Sequence, residues 1–196
     1  MNKKVINTII ALTVVVILVI AFFLIKYTGR EILPSFFSQP DNKVSSTNDL
    51  AILVDKMLNK TAPLFDLPDI NGLKLKLSQY TNKPLVLTFW STWSSDASNQ
   101  IRIIDDYIYT DGSAKNLISF VAISSQEEIG VVKSFIKRGG YVVPIAIDSS
   151  GIVSEEYNIK SLPTTFFIDK NGIIKEVYVG ILNEEMLVDK VDNILK

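Results

Sequence analysis

The chain has 196 residues, 47% of them hydrophobic and 21% charged, with 20 basic and 21 acidic side chains but neither cysteine nor histidine. That length accommodates one ordinary domain and additional segments. Without cysteine there is no disulfide, no thiolate nucleophile and no cysteine-based zinc or iron–sulfur site, and without histidine the usual general base and the commonest neutral metal ligand are missing too.

Charge is unevenly placed. Residues 1–30 hold Lys3, Lys4, Lys26 and Arg30 and no acid; taking those four from the 20 basic groups leaves 16 against 21 acids, a net of −5 for the remainder. Such a portion lacks the basic footprint that phosphate neutralisation requires, so no nucleic-acid partner is expected. From Val5 to Ile25 runs an uncharged stretch of 21 residues whose polar side chains are Asn7, Thr8 and Thr13. As a helix it spans about 30 Å, the thickness of a hydrocarbon core. It is longer than a signal-peptide core and ends in Phe22-Phe23-Leu24-Ile25-Lys26-Tyr27, a poor cleavage site, which favours an uncleaved anchor. The charge bias across it is small and leans toward an internal N-terminus, which places the following domain outside the cytoplasm. A cysteine-free domain there relies on its core alone.

The expected organisation is a membrane anchor at 1–30 with its helix at about 5–25, a linker at 31–60, and one domain at 61–196. The linker contains Pro34, Pro40 and a polar mixture, then a short amphipathic pattern of Leu50, Leu53, Val54, Met57 and Leu58 at helical spacing. Phe65, Leu67 and Ile70 lead through Asn71-Gly72 to Leu73, Leu75 and Leu77, which predicts a hairpin whose turn takes two positive φ angles. Pro84 to Trp90 is a continuous apolar run, as expected of a central strand covered on both faces. Residues 95–109 switch to helical spacing, with Ala97, Ile101, Ile104 and Ile108 on one stripe. Leu117 to Ile123 predicts a second buried strand. Ser125-Gln126-Glu127-Glu128 then reads as a capping box opening a helix that carries Val131, Val132 and Phe135 and ends at Gly139-Gly140. A third strand is predicted over Tyr141 to Ile147 and a short helix over Val153 to Tyr157. Thr164 to Asp169 and Ile173 to Val179 flank Asn171-Gly172 as another hairpin, and Asn183 to Leu195 closes as an amphipathic helix. Strands alternating with helices, followed by a terminal hairpin and helix, indicate an α/β sandwich with a mixed sheet.

The adjacent acids Asp105-Asp106, Glu127-Glu128, Glu155-Glu156 and Glu184-Glu185 do not share a helix face and read as solvated or first-turn charges. No glycine-rich phosphate loop or spaced set of metal ligands is present, so neither a cofactor nor a metal is expected.

The order of a strand, Phe89-Trp90-Ser91-Thr92-Trp93, a helix, and later Ser161-Leu162-Pro163-Thr164-Thr165-Phe166-Phe167-Ile168-Asp169 resembles the thioredoxin-like superfamily. It is most similar to the membrane-anchored redoxin branch, the TlpA/ResA-like thiol-disulfide oxidoreductases, over about Ala62 to Lys196. Ala62-Pro63-Leu64-Phe65-Asp66-Leu67 and Leu77-Ser78-Gln79-Tyr80 add to the likeness. The resemblance implies a thioredoxin-like sandwich, a mixed central sheet flanked by helices and preceded by one transmembrane helix. In that branch the segment after the strand reads Trp-Ala-Thr-Trp-Cys-x-Pro-Cys-x-x-Glu, with a proline two residues beyond the acid. On this chain the first cysteine position is Ser94, the intervening proline Asp96, the second cysteine Ala97, the acid Gln100 and the later proline Arg102. Every residue that handles electrons or protons is altered, while Phe89, Trp90, Thr92, Trp93 and Pro163 are kept.

The family's reaction needs a thiolate of lowered pKa at a helix N-terminus, and a serine hydroxyl cannot replace it. Ser94 as a hydrolytic nucleophile needs a base that no motif supplies. As local structure, Ser94 or Ser95 caps the helix, Asp96 complements its positive end and Ala97 is the best helix former. The resemblance makes Pro163 a cis-proline facing this site, with the Leu162 backbone able to pair with an extended peptide. Two functions stand open, beside a third possibility of a spacer with no partner at all. One is a redox-inactive binding or assembly module whose contacts are Trp93, Ser94, Leu162 and Pro163 and whose partner is an extracytoplasmic protein or peptide. The other is a member of the thiol-disulfide oxidoreductase system with electron-transfer activity, as the overall similarity implies.

Overall fold

The computed structural model describes residues 47–110 and 117–196. The expected membrane-spanning helix at about 5–25 lies outside the described residues, as does the linker up to residue 46; among the described residues no helix is long and apolar enough to cross a membrane. Contacts divide the chain after Asn42, and everything described falls in the second unit, Lys43–Lys196.

The elements in order are α1 (Thr47–Met57), β1 (Asp66–Pro68), β2 (Lys74–Lys76), a 3-10 turn (Leu77–Tyr80), β3 (Leu85–Trp90), α2 (Ser95–Thr110), β4 (Ser119–Ser125), α3 (Ile129–Gly139), β5 (Ile145–Asp148), α4 (Ile152–Glu156), β6 (Thr164–Ile168), β7 (Ile174–Val179) and α5 (Glu184–Leu195). Five strands form one sheet in the order β5-β4-β3-β6-β7. β3 and β4, and β4 and β5, run parallel, whereas β6 is antiparallel to β3 and β7 to β6. Every residue of β3 is buried, because this strand has neighbours on both edges and packed side chains on both faces.

The pleat sends alternate residues of β3 to opposite cores. Val86 and Trp90 join Ala97, Ile101, Ile104 and Tyr107 of α2, Val132 and Ile136 of α3, and Leu187 and Val191 of α5. Leu85, Leu87 and Phe89 join Leu53 and Met57 of α1, Phe65 and Leu75 of the β1–β2 hairpin, and Val153 and Tyr157 at α4. α2 and α3 lie on the same face, as two consecutive parallel crossovers of one hand moving in one direction must. In the second core Phe89, Tyr157 and Phe166 form a cluster with ring centroids 5.0–5.8 Å apart. There the Tyr157 hydroxyl donates to the Pro63 carbonyl at 2.8 Å, and burial pushes its phenol well above the usual range.

Two local expectations are corrected. At Asn71-Gly72 and Asn171-Gly172 only the glycine is left-handed, with φ of +82° and +78°. Each loop is set by an aspartate two residues before the asparagine: Asp69 Oδ1 accepts from the amides of Asn71 and Leu73, and Asp169 Oδ1 from those of Asn171 and Ile173. The glycine amide closes the turn on the aspartate carbonyl in both cases. The side chain thus mimics a backbone turn and lengthens the loop by one residue. The second correction concerns Ser125 to Glu128. No capping box forms, because α3 begins after Glu128 without a side-chain cap, while Ser125 and Glu127 turn inward to other partners. The far end of that helix is as read from sequence, with Gly140 left-handed at φ +69° and its amide bonded to the Ile136 carbonyl.

Candidate functional site

Register places the site. Phe89 of β3 pairs with Thr164 of β6, so the chain leaving β3 at Ser91 and the chain approaching β6 through Leu162-Pro163 emerge side by side at one end of the sheet. The peptide bond between Leu162 and Pro163 is cis. The Pro163 carbonyl accepts from the Gly180 amide at 2.9 Å, whereas no described residue bonds to the N–H or C=O of Leu162.

Ser94 is the N-cap of α2. Its carbonyl accepts the first helical hydrogen bond from the Ser98 amide at 2.9 Å, and its Oγ accepts from the Ala97 amide at 3.3 Å. Ser94 is only 4% exposed, and the Ala97 amide is the one partner of its hydroxyl among the described residues. Among the described residues no base bonds to its hydroxyl, so the arrangement that nucleophilic serine chemistry requires is not formed there. Asp96 sits exposed in the first turn, complementing the helix terminus. Ala97 and Gln100 are fully buried beneath the turn. Gln100 Oε1 accepts from the Leu182 amide at 2.5 Å and so ties α2 to the segment before α5. Gln100 Nε2, Trp90 Nε1 and Ser91 Oγ, all buried in this corner, have no hydrogen-bond partner among the described residues.

Between the cap and the strand end, Trp93 stands 65% exposed, while Trp90 is buried with its ring 5.3 Å from that of Phe135. The residue before Trp93 is held from the segment that follows β4. The Thr92 amide and hydroxyl donate to the two carboxylate oxygens of Glu127 at 2.8 and 2.5 Å, and the Ser124 hydroxyl donates to the same carboxylate at 2.8 Å. Ser98 Oγ adds contacts to the carbonyls of Ser91 and Thr92 at 3.5 and 3.3 Å. Sequence reasoning missed Glu127, which it assigned to a helix cap. It also passed over the buried Asp148, whose Oδ2 accepts from the amide and hydroxyl of Ser154 at 2.7 Å each. The only sequence signal was an acid at the end of an apolar strand with serines beside it. Among the described residues no group of three or more metal-ligating side chains gathers.

The structure therefore brings Ser94, Ala97 and Gln100 together on the first turns of one helix, with Trp93 preceding them and Leu162-Pro163 leading into the neighbouring strand β6. The sequence matches the AhpC/TSA family over residues 58–177. A thiol-disulfide oxidoreductase ResA of Geobacillus thermodenitrificans is 30% identical over 178 residues, covering 90% of this chain and 92% of its own. The ResA of Geobacillus kaustophilus is 35% identical over 130 residues, 65% of this chain and 72% of its own. Among solved structures, the exposed lipoprotein thioredoxin Etrx1 of Streptococcus pneumoniae superposes with a TM-score of 0.58 at 25% identity, over 67% of this chain and 99% of its own. A thioredoxin family thiol:disulfide interchange protein of Chlorobium tepidum gives 0.62 at 23% identity, over 70% and 97%. With the parallel-antiparallel sheet, the strand-to-helix turn and the cis-proline in their places, this cysteine-free chain belongs to the thioredoxin-like AhpC/TSA family.

Proposed function

We propose that this protein is a membrane-anchored, extracytoplasmic thioredoxin-like module that performs no thiol chemistry and uses the surface at Trp93, Ser94 and Leu162-Pro163 to bind an extended segment of a partner protein. The observation that carries this reading is the combination at the strand-to-helix turn: both cysteine positions hold residues that serve the helix, while Trp93 beside them stays 65% exposed and Leu162 keeps its backbone groups without a partner among the described residues. A backbone segment with unpaired groups at the end of a strand, near an exposed aromatic, is the chemistry that can take up an added strand and anchor one side chain. Anchoring rests on the uncharged run Val5 to Ile25, since a chain without cysteine has no thiol to acylate.

The test is a photo-crosslinking residue placed at Leu162 in the full chain in its native membrane, compared with one at the exposed Ile152 on α4. Adducts from position 162 and not from 152 support the surface; equal or absent adducts remove it. Alkaline carbonate should leave the chain in the membrane pellet, and protease added to intact protoplasts should digest the domain, whereas protection would reverse the orientation. The relatives named as oxidoreductases favour the second reading, participation in thiol-disulfide electron transfer. Insulin reduction by the purified full chain above background would establish it and displace the first.

A further inference from the structure

We propose that Glu127 is a positioning residue of this surface, its carboxylate fixing Thr92 and through it the pose in which Trp93 is presented to a partner. This rests on the reading of the surface as a binding site. Glu127 is 8% exposed and lies two residues beyond the end of β4, the strand that pairs in parallel with β3, whose following loop it holds. Burying a carboxylate is costly unless hydrogen bonds replace its hydration, and glutamate is rarely buried without a partner. Here three donors do so: the Thr92 amide, the Thr92 hydroxyl and the Ser124 hydroxyl. Two of the three come from the residue before Trp93. The residue after it, Ser94, is fixed as the N-cap of α2. The backbone of Trp93 is thus pinned on both sides while its ring remains in solvent. Fixing an aromatic anchor before contact lowers the ordering cost of association, and such anchors carry much of the binding energy at protein interfaces. A glutamate serving the fold alone has no need to be aimed at the one loop that carries an exposed tryptophan.

The experiment labels the full chain in detergent micelles with 5-fluorotryptophan and follows its two fluorine resonances, the buried Trp90 reporting the core and Trp93 the loop. Glu127→Gln and Thr92→Val should each move and narrow the Trp93 resonance toward that of a mobile, solvated ring while leaving the Trp90 resonance in place. The double variant should go no further than either single one. In the same variants the crosslinked adduct from position 162 should fall about tenfold, the scale of losing one charge-assisted hydrogen bond, and Trp93→Ala should match that loss. An unchanged Trp93 resonance in Glu127→Gln, or a mobile Trp93 with undiminished adduct, overturns the proposal. Should Glu127→Gln lose both dispersed resonances through unfolding, Thr92→Val decides the same question from the other end of the contact. If the parent chain yields no adduct at position 162, the binding reading itself falls, while the fluorine resonances still decide whether Glu127 fixes the ring.

Discussion

Returning cysteine to positions 94 and 97 together is the most discriminating perturbation of the strand-to-helix turn. A thiolate at 94 would inherit the Ala97 amide that Ser94 Oγ now accepts from at 3.3 Å, and it would sit at the positive end of a 16-residue helix. A hydrogen bond to a charged group contributes about 1.5–3 kcal/mol, and the helix terminus adds about 0.3–1 kcal/mol. Two features oppose these: the exposed carboxylate of Asp96, about 1 kcal/mol in water, and the burial that leaves Ser94 only 4% exposed. A net of about 2 kcal/mol lowers the first thiol by about 1.5 pH units, from about 8.5 to about 7. The N-cap geometry brings the two side chains within one turn, and closing so short a loop stabilises the oxidised form by about 2 kcal/mol. Thiolate absorbance against pH and the mass of the oxidised Ser94→Cys/Ala97→Cys chain read both quantities, and adding Asp96→Pro should lower the first titration further. Reductase turnover should stay poor until Gln100→Glu is added, because an amide neither accepts nor donates the proton that the family's acid handles. Two thiols that titrate together near about 8.5 and never pair would refute the assignment of the turn.

Other consequences are open to simpler measurements. Gln100→Glu in the cysteine-free chain buries a carboxyl with one donor, the Leu182 amide, so its pKa rises. The penalty is absent below about pH 4 and grows with pH until the folded-state carboxyl ionises, reaching about 3 kcal/mol for a rise of about two units; thermal unfolding that tracks the parent at every pH would contradict the burial. Thr88 and Thr165, fully buried on β3 and β6, share a hydroxyl contact of 3.0 Å. Thr165→Val should cost about 1–3 kcal/mol by orphaning its partner, while Thr88→Val with Thr165→Val should approach neutrality in denaturant unfolding. Burial first, and Glu156 second, favours the neutral phenol of Tyr157 in the fold, so stability should decline as pH rises above about 10, where the unfolded chain's tyrosine ionises. Tyr157→Phe should remove that component of the decline and cost about 1 kcal/mol at neutral pH by freeing the Pro63 carbonyl.

What was legible in the sequence is what one-dimensional patterns encode. The apolar run ending at Trp90 announced a strand buried on both faces, and the glycines at 139–140 announced a helix end, because each depends on residues adjacent in the chain. What was illegible depends on partners brought in by the fold. Glu127 lies inside the Ser125-to-Glu128 stretch that has cap spacing, and nothing local says that its carboxylate prefers Thr92, 35 residues earlier, to the helix beside it. Gln100 is polar on an otherwise apolar stripe, and only the arrival of the Leu182 amide explains why it is buried. The aspartates of the two Asp-x-Asn-Gly turns were local and could have been read; the familiar Asn-Gly pair drew attention from the residue that sets the loop.

The same distinction explains how this chain keeps a fold whose reactive groups it has given up. The sheet and its two cores are built from β3, β4, β6 and the helices, and of the reactive positions only Ala97 contributes a side chain to them. At each altered position the backbone requirement survives and is met by ordinary means. Serine accepts from the Ala97 amide as an N-cap, worth about 1 kcal/mol over a residue that cannot cap. Alanine fills the buried first turn with the highest helix propensity, and glutamine supplies the Leu182 amide with an acceptor that carries no charge at any pH. A thiolate at the helix end and a carboxyl beneath it would each bring a buried ionisable group into this corner, a cost justified only by chemistry. Without cysteine at these positions, the residues present are those the scaffold would favour, and what remains distinctive at the site is an exposed tryptophan directly after a threonine bonded to a buried glutamate.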